Sequence, residues 1–347
     1  MWTSDKFVRE IRREEHVVFT KKDIKFAKTP SRTSLSLINQ GLFEELSNLK
    51  NNLGDKTKLL LKVFNPWDKI KNKDPYFEIF RYLETTRDYL KDPQRALYVS
   101  NSNLNSISKI YPNTNTNTNT NTKEDKNEIS NKYDLIIIDN EQNEQQDFRT
   151  LLKECIMALK CQQDGGMLIC KFLDTTIKPI CQLISLILDH YEKCIVIKPR
   201  TSKYSSQEKF IVFVNRISYS SPDDLILEME NLLGMNNDEG EYIRDIGISI
   251  FKELTQTLYD YNNFIISNQI KYYSQIIGSV TNWTFEKQSQ LEAIQNLNAQ
   301  EFNALIGNPA LNVCEHKLTT THVSTTSHTL MFKKCLLCNA LIMNNTK

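Results

Sequence analysis

Apolar and polar positions change period several times along this chain, and each change marks an element. Residues 40–53 have the 3.6-residue rhythm of a helix, followed by a short apolar run, LLLKVF, at 59–64. Asp74-Pro75 opens a second predicted helix, YFEIFRYLETTRDYLKD, with proline suited to a first turn. ALYV at 96–99 reads as a short strand. DLIIID at 134–139 is nearly continuously apolar, the pattern of a strand buried on both faces of a parallel sheet. A helix over 147–162 follows, with Phe148, Leu151, Leu152, Cys155, Ile156 and Leu159 on one side. Asp164-Gly165-Gly166 is read as a turn into the strand MLICKFL, then come a helix over 177–191 and two strands, KCIVIKP and KFIVFVN. This order predicts an α/β fold holding the second half of a doubly wound sheet, its last two strands antiparallel.

Elsewhere the pattern is different. PNTNTNTNTNT runs into a charged stretch, and residues 112–131 are expected to be a disordered insertion because they offer little apolar area to offset ordering entropy. Ser221-Pro222-Asp223-Asp224 is a helix start, and long helices are expected over 241–277 and 288–305. The boundaries that follow are a basic arm at 1–32, an α/β domain at 33–216, a helical region at 217–309 and a tail at 310–347. The arm carries nine lysines and arginines, and is read as solvated.

Composition narrows the picture. The 347 residues are 40% hydrophobic and 24% charged with net charge +1, so no global field marks a nucleic-acid binder. No run reaches the ~18 apolar residues of a membrane helix, and the N-terminus has no apolar signal core. Eight cysteines without such a signal fit a reducing, cytoplasmic compartment. Glycine is scarce: nine are present where average usage of ~7% would give about 24. Only Gly41 and Gly54 precede Asp164.

Three residues carry the candidate chemistry. Asp139 closes DLIIID, Lys171 lies inside GGMLICKF, and Glu208 ends the segment KPRTSKYSSQEKF at 198–210. The order, spacing and flanking strands resemble the FtsJ family of RNA ribose 2′-O-methyltransferases, and within it the cap 2′-O-methyltransferase branch that includes members from large DNA viruses. The resemblance implies a Rossmann-type methyltransferase sheet, S-adenosylmethionine as methyl donor and RNA as partner. For a viral member it also implies the host cytoplasm or the virion. It assigns Lys171 as the base for a ribose hydroxyl, with Asp139 and Glu208 orienting it, and Lys198, Arg200, Ser202 and Lys203 as RNA contacts. A hydroxyl is a poor nucleophile, so a site of this kind must help remove its proton.

Two departures stand out. The family's further catalytic lysine has no counterpart: Ser36 stands at its place in SRTSLSL, with Arg81 as another candidate. The Gly-rich loop that lets backbone approach the methyl donor is missing after both LLLKVF and ALYV, so the N-terminal half of the sheet reads as eroded. An alternative expectation is therefore a catalytically inactive subunit that binds RNA or a capping or transcription partner. In the tail, Cys335-x-x-Cys338 has the spacing of a zinc-ribbon knuckle. Cys314 and His316 would complete a Cys3His zinc site, with His322 or His328 as substitutes.

Overall fold

Burial on two faces explains the apolar runs in the middle of the chain. The computed structural model describes residues 7–12, 24–27, 33–53, 64–65, 75–87, 96–100, 115–117, 133–139, 148–199, 201–202, 206–217, 223–234, 242–280, 282, 284–307, 318–324, 329–335 and 341–343. The apolar run at 59–63 lies outside them. The chain divides into two compact units, one of residues 1–65 and 73–283, the other of residues 66–72 and 284–347.

The first unit is built on a seven-stranded sheet. Its strands are β1 (Phe7–Arg12), β3 (Ala96–Ser100), β4 (Asn115–Asn117), β5 (Tyr133–Asp139), β6 (Gln162–Phe172), β7 (Tyr191–Lys198) and β8 (Lys209–Arg216). They lie in the order β1-β7-β8-β6-β5-β3-β4. β4, β3, β5 and β6 run parallel; β8 is antiparallel to both β6 and β7, and β1 is antiparallel to β7. Helices α1 (Gln40–Asn51), α2 (Pro75–Arg87), α3 (Phe148–Cys161), α4 (Lys178–Leu188), α5 (Asp223–Gly234) and α6 (Lys252–Val280) complete this unit. The mixed α/β architecture is consistent with the Rossmann-type sheet that the sequence resemblance implied, and the antiparallel β7–β8 pair is as the sequence predicted.

Alternation along the strands divides the core. Ile136, Ile138, Leu168, Cys170, Val196, Ile211 and Phe213 pack with α3, α4 and α6. One residue out of step, Leu135, Ile137, Met167, Ile169, Ile195, Ile197, Phe210 and Val212 pack with Tyr76, Ile79, Phe80 and Leu83 of α2. Each such side chain contributes about 1.5–3 kcal/mol on burial, so the centre of the sheet is the stable platform. Gly165 and Gly166 do not turn the chain. They form an irregularity inside β6, where pairing with β5 slips between Tyr133 and Leu135 and Gly165 takes φ 75°.

Three expectations give way. The arm at 1–32 supplies two strands, β1 at the sheet edge and β2 (Ile24–Ala27). Within β1, Arg9 meets Asp260 at 2.5 Å, Glu10 meets Lys193 at 3.5 Å, and Ile11 is buried. The helix expected from 241 begins instead at Lys252, because Tyr242–Ile246 forms β9 against β2 and Gly247 (φ 78°) breaks the strand. Within the Asn-Thr repeat, Asn115–Asn117 forms β4 on β3; strand pairing uses backbone groups and asks nothing apolar of the side chains. The rest of 112–131 lies outside the described residues.

The second unit holds α7 (Phe285–Gly307) and a three-stranded antiparallel sheet of β10 (Leu318–Ser324), β11 (Thr329–Cys335) and β12 (Leu341–Met343). Cys335 ends β11, and His322 lies in β10 opposite Met331. Cys314, His316, His328 and Cys338 lie outside the described residues. Among the described residues no group of three or more His, Cys, Asp or Glu is placed to hold a metal, and no helix is long and apolar enough to cross a membrane.

Candidate active site

Neighbouring strands bring the three chemistry-bearing residues to one end of the sheet. Asp139 is the last residue of β5, Lys171 the last but one of β6, and Glu208 directly precedes β8. β6 and β8 pair with Lys171 opposite Phe210 and Phe172 opposite Lys209, which returns the chain beside the β6 end. The Lys171 Nζ lies 3.1 Å from Asp139 Oδ1 and 3.8 Å from Glu208 Oε2. The side chains are 14%, 6% and 17% exposed, respectively, so water screens this cluster weakly. An amine between two carboxylates at a sheet's carboxyl edge can accept a proton and be held while it does so.

The segment carrying Glu208 is held from several elements. The Lys198 Nζ donates to the carbonyls of Ser206 (3.0 Å) and Glu208 (2.9 Å). The Glu208 N–H donates to Ser206 Oγ at 3.1 Å. The Tyr261 hydroxyl of α6 donates to the Glu208 carbonyl at 3.0 Å. Nearer β7, Thr201 donates through both its N–H and its hydroxyl to Glu78 Oε2 of α2, each at 2.9 Å. Burial pushes the Lys198 amine down to about 8; the Glu208 charge opposes this and the Lys171 charge adds to it.

These contacts bear on two of the expected RNA-contacting residues. Lys198 and Ser202 are both buried, and the Lys198 amine faces two carbonyls of its own loop. Arg200 and Lys203 lie outside the described residues, as does the Arg81 side chain.

The SRTSLSL stretch does reach this end of the sheet. Ser34 N–H donates to the Thr176 carbonyl at 2.7 Å, and Asn262 of α6 donates to the carbonyls of Leu37 (2.9 Å) and Thr175 (3.2 Å). Ser36 is exposed there and shares a 2.9 Å hydrogen bond with Ser34. Sequence reasoning missed Glu78, Lys209, Tyr261 and Asn262. Lys209 alone left a signal, a lysine heading the buried strand KFIVFVN. It is 1% exposed, 3.4 Å from the Leu173 carbonyl and 5.1 Å from the centre of the Tyr261 ring. Burial pushes its amine down to about 7; Asp174 opposes this and Lys198 adds to it.

Ser100 of β3 pairs with Asp139 of β5, so two parallel strands end side by side where open α/β sheets take nucleotide-like ligands. The segments leaving them, 101–114 and 140–147, lie outside the described residues and contain no glycine. The site thus offers an acidic side chain at this edge, and the segments leaving β3 and β5 lack the glycines of the usual donor site.

The profile of the FtsJ-like methyltransferase family matches residues 95–216, a minority of the chain that spans β3 to β8 and contains Asp139, Lys171 and Glu208. No curated protein matches. Among solved structures, the N-methyltransferase NodS from Bradyrhizobium japonicum WM9 is similar at 12% identity and a TM-score of 0.29, covering 42% of this chain and 100% of that one.

Proposed function

We propose that this protein, which contains an FtsJ-like methyltransferase domain, methylates a ribose 2′-hydroxyl of RNA, the cap-proximal ribose of mRNA being the substrate of choice. The Lys171 cluster supports this reading most directly, because it lies inside the matched stretch and joins a base to two acids at the ligand-binding edge. S-adenosylmethionine, when bound, supplies the methyl group. Lys171 takes the hydroxyl proton as the methyl group arrives. Asp139 and Glu208 stabilise the ammonium charge as it forms, which lowers the barrier only if they are already in place. Glu208 also orients the ribose. In the same reading the tail binds zinc through Cys314, His316, Cys335 and Cys338, which leaves no open coordination position and makes that site structural.

Labelled methyl transfer to capped RNA tests the assignment. The wild type is expected to transfer, and Lys171→Ala to reduce kcat by roughly 10²–10⁴-fold with the fold intact, the range of a general base. Full activity of Lys171→Ala would sink the role given to it. One observation favours a second reading, a non-catalytic subunit that binds RNA or a capping partner: the glycine-free segment after β3. Calorimetric titration separates the two, since that subunit would give no heat with S-adenosylmethionine or S-adenosylhomocysteine.

A further inference from the structure

The matched stretch ends at residue 216, yet the Glu208 peptide is held from beyond it. Its carbonyl accepts two donors, the Lys198 amine at 2.9 Å from β7 and the Tyr261 hydroxyl at 3.0 Å from α6. Its N–H is fixed on Ser206 Oγ. With both ends of the residue tied, the carboxylate has only its own side-chain torsions left to vary. Tyr261 is fully buried, and phenylalanine would fill the same volume without bringing a polar group into the core. The hydroxyl therefore has a purpose that packing does not supply. The next residue, Asn262, bonds the Thr175 carbonyl, four positions past Lys171 on the segment leaving β6. Two consecutive residues of one helix thus grip the chain just after the base and at the acid facing it.

We propose that Tyr261 is a positioning residue for the Lys171–Glu208 pair, setting the Glu208 carboxylate against the base through its hydroxyl on the Glu208 carbonyl. The inference rests on the reading of the cluster as a methyl-transfer centre. It makes the helical region after the matched domain a working part of the site. The same tyrosine ring lies beside the Lys209 amine, so its replacement must spare the ring to be informative.

Tyr261→Phe in the full chain does so. Methyl transfer is measured alongside amide hydrogen exchange over residues 206–210. The expected result is a fall in kcat of about tenfold, the effect of one lost hydrogen bond, with KM for RNA unchanged. Exchange should accelerate over 206–210 and stay unchanged in β5 and β6. Lys198→Met, which removes the second donor, should give the same exchange signature. If the wild type is active and Tyr261→Phe keeps its full kcat, the inference is overturned. If the wild type transfers no methyl group, the proposed function fails by itself and exchange still decides the anchor. Acceleration confined to 206–210 then upholds it, and unchanged exchange overturns it.

Discussion

Lys209 shows what a buried charge contributes at the scale of one residue. Its amine titrates near 7 in the fold against an ordinary value of 10.5, with burial as the main cause. Between those values the unfolded chain holds the extra proton, so this residue's contribution to stability rises with pH through that window. At and below pH 7 the penalty for its buried charge is at its greatest. Lys198 acts in the same direction from about 8 upwards. Thermal melts of the wild type and Lys209→Met should therefore show the wild type gaining on the variant from pH 7 to pH 9. A constant gap would contradict the titration. This lysine also explains a missed reading: a charged residue heading an apolar strand looks like a solvated strand start until the fold closes over it.

Among the elements, β6 depends on glycine at one position. A Cβ on Gly166 would lie 2.6 Å from Gln162 Nε2, 2.8 Å from the Gln163 carbonyl and 3.0 Å from the Asp134 carbonyl. Two of these are backbone atoms that cannot swing aside. Gly166→Ala should cost about 1–3 kcal/mol, the range for overpacking, and denaturant titration would show it as a lower midpoint at unchanged slope. An unchanged midpoint would mean the strand irregularity relaxes freely. Sequence found the glycine pair but read it as a turn, because the register slip that uses it belongs to the pairing of β5 with β6. The same reason hid β9 and β1. Five-residue YIRDI and charged FVREIR become strands only by pairing, with β2 and β7 respectively.

The whole molecule combines a methyltransferase-like sheet unit with a separate smaller unit, and the zinc proposal belongs to the smaller one. Elemental analysis of the purified full chain should find about one bound zinc, as four ligands imply, and Cys335→Ser should lower that content. A chain free of metal after purification without chelators would end the proposal. Loss of zinc should lower the melting temperature without changing methyl transfer, because a closed site offers no position for chemistry.

Sequence by itself determined the centre of this protein. The apolar runs at 135–138, 167–170, 194–197 and 210–214 could be stable only as strands covered on both faces, and their order set the parallel and antiparallel pairing. It also set which residues meet: Asp139, Lys171 and Glu208 stand at strand ends, where the backbone direction alone delivers them to one edge. Tertiary structure decided what surrounds them. Lys198 reads as an exposed basic residue until burial turns its amine onto two carbonyls. Tyr261 is an unremarked position on a helix until α6 packs and its hydroxyl meets Glu208. Strand periodicity is a local property that survives translation into sequence. The partner of a buried polar group lies many residues away, and only the folded chain brings the two together.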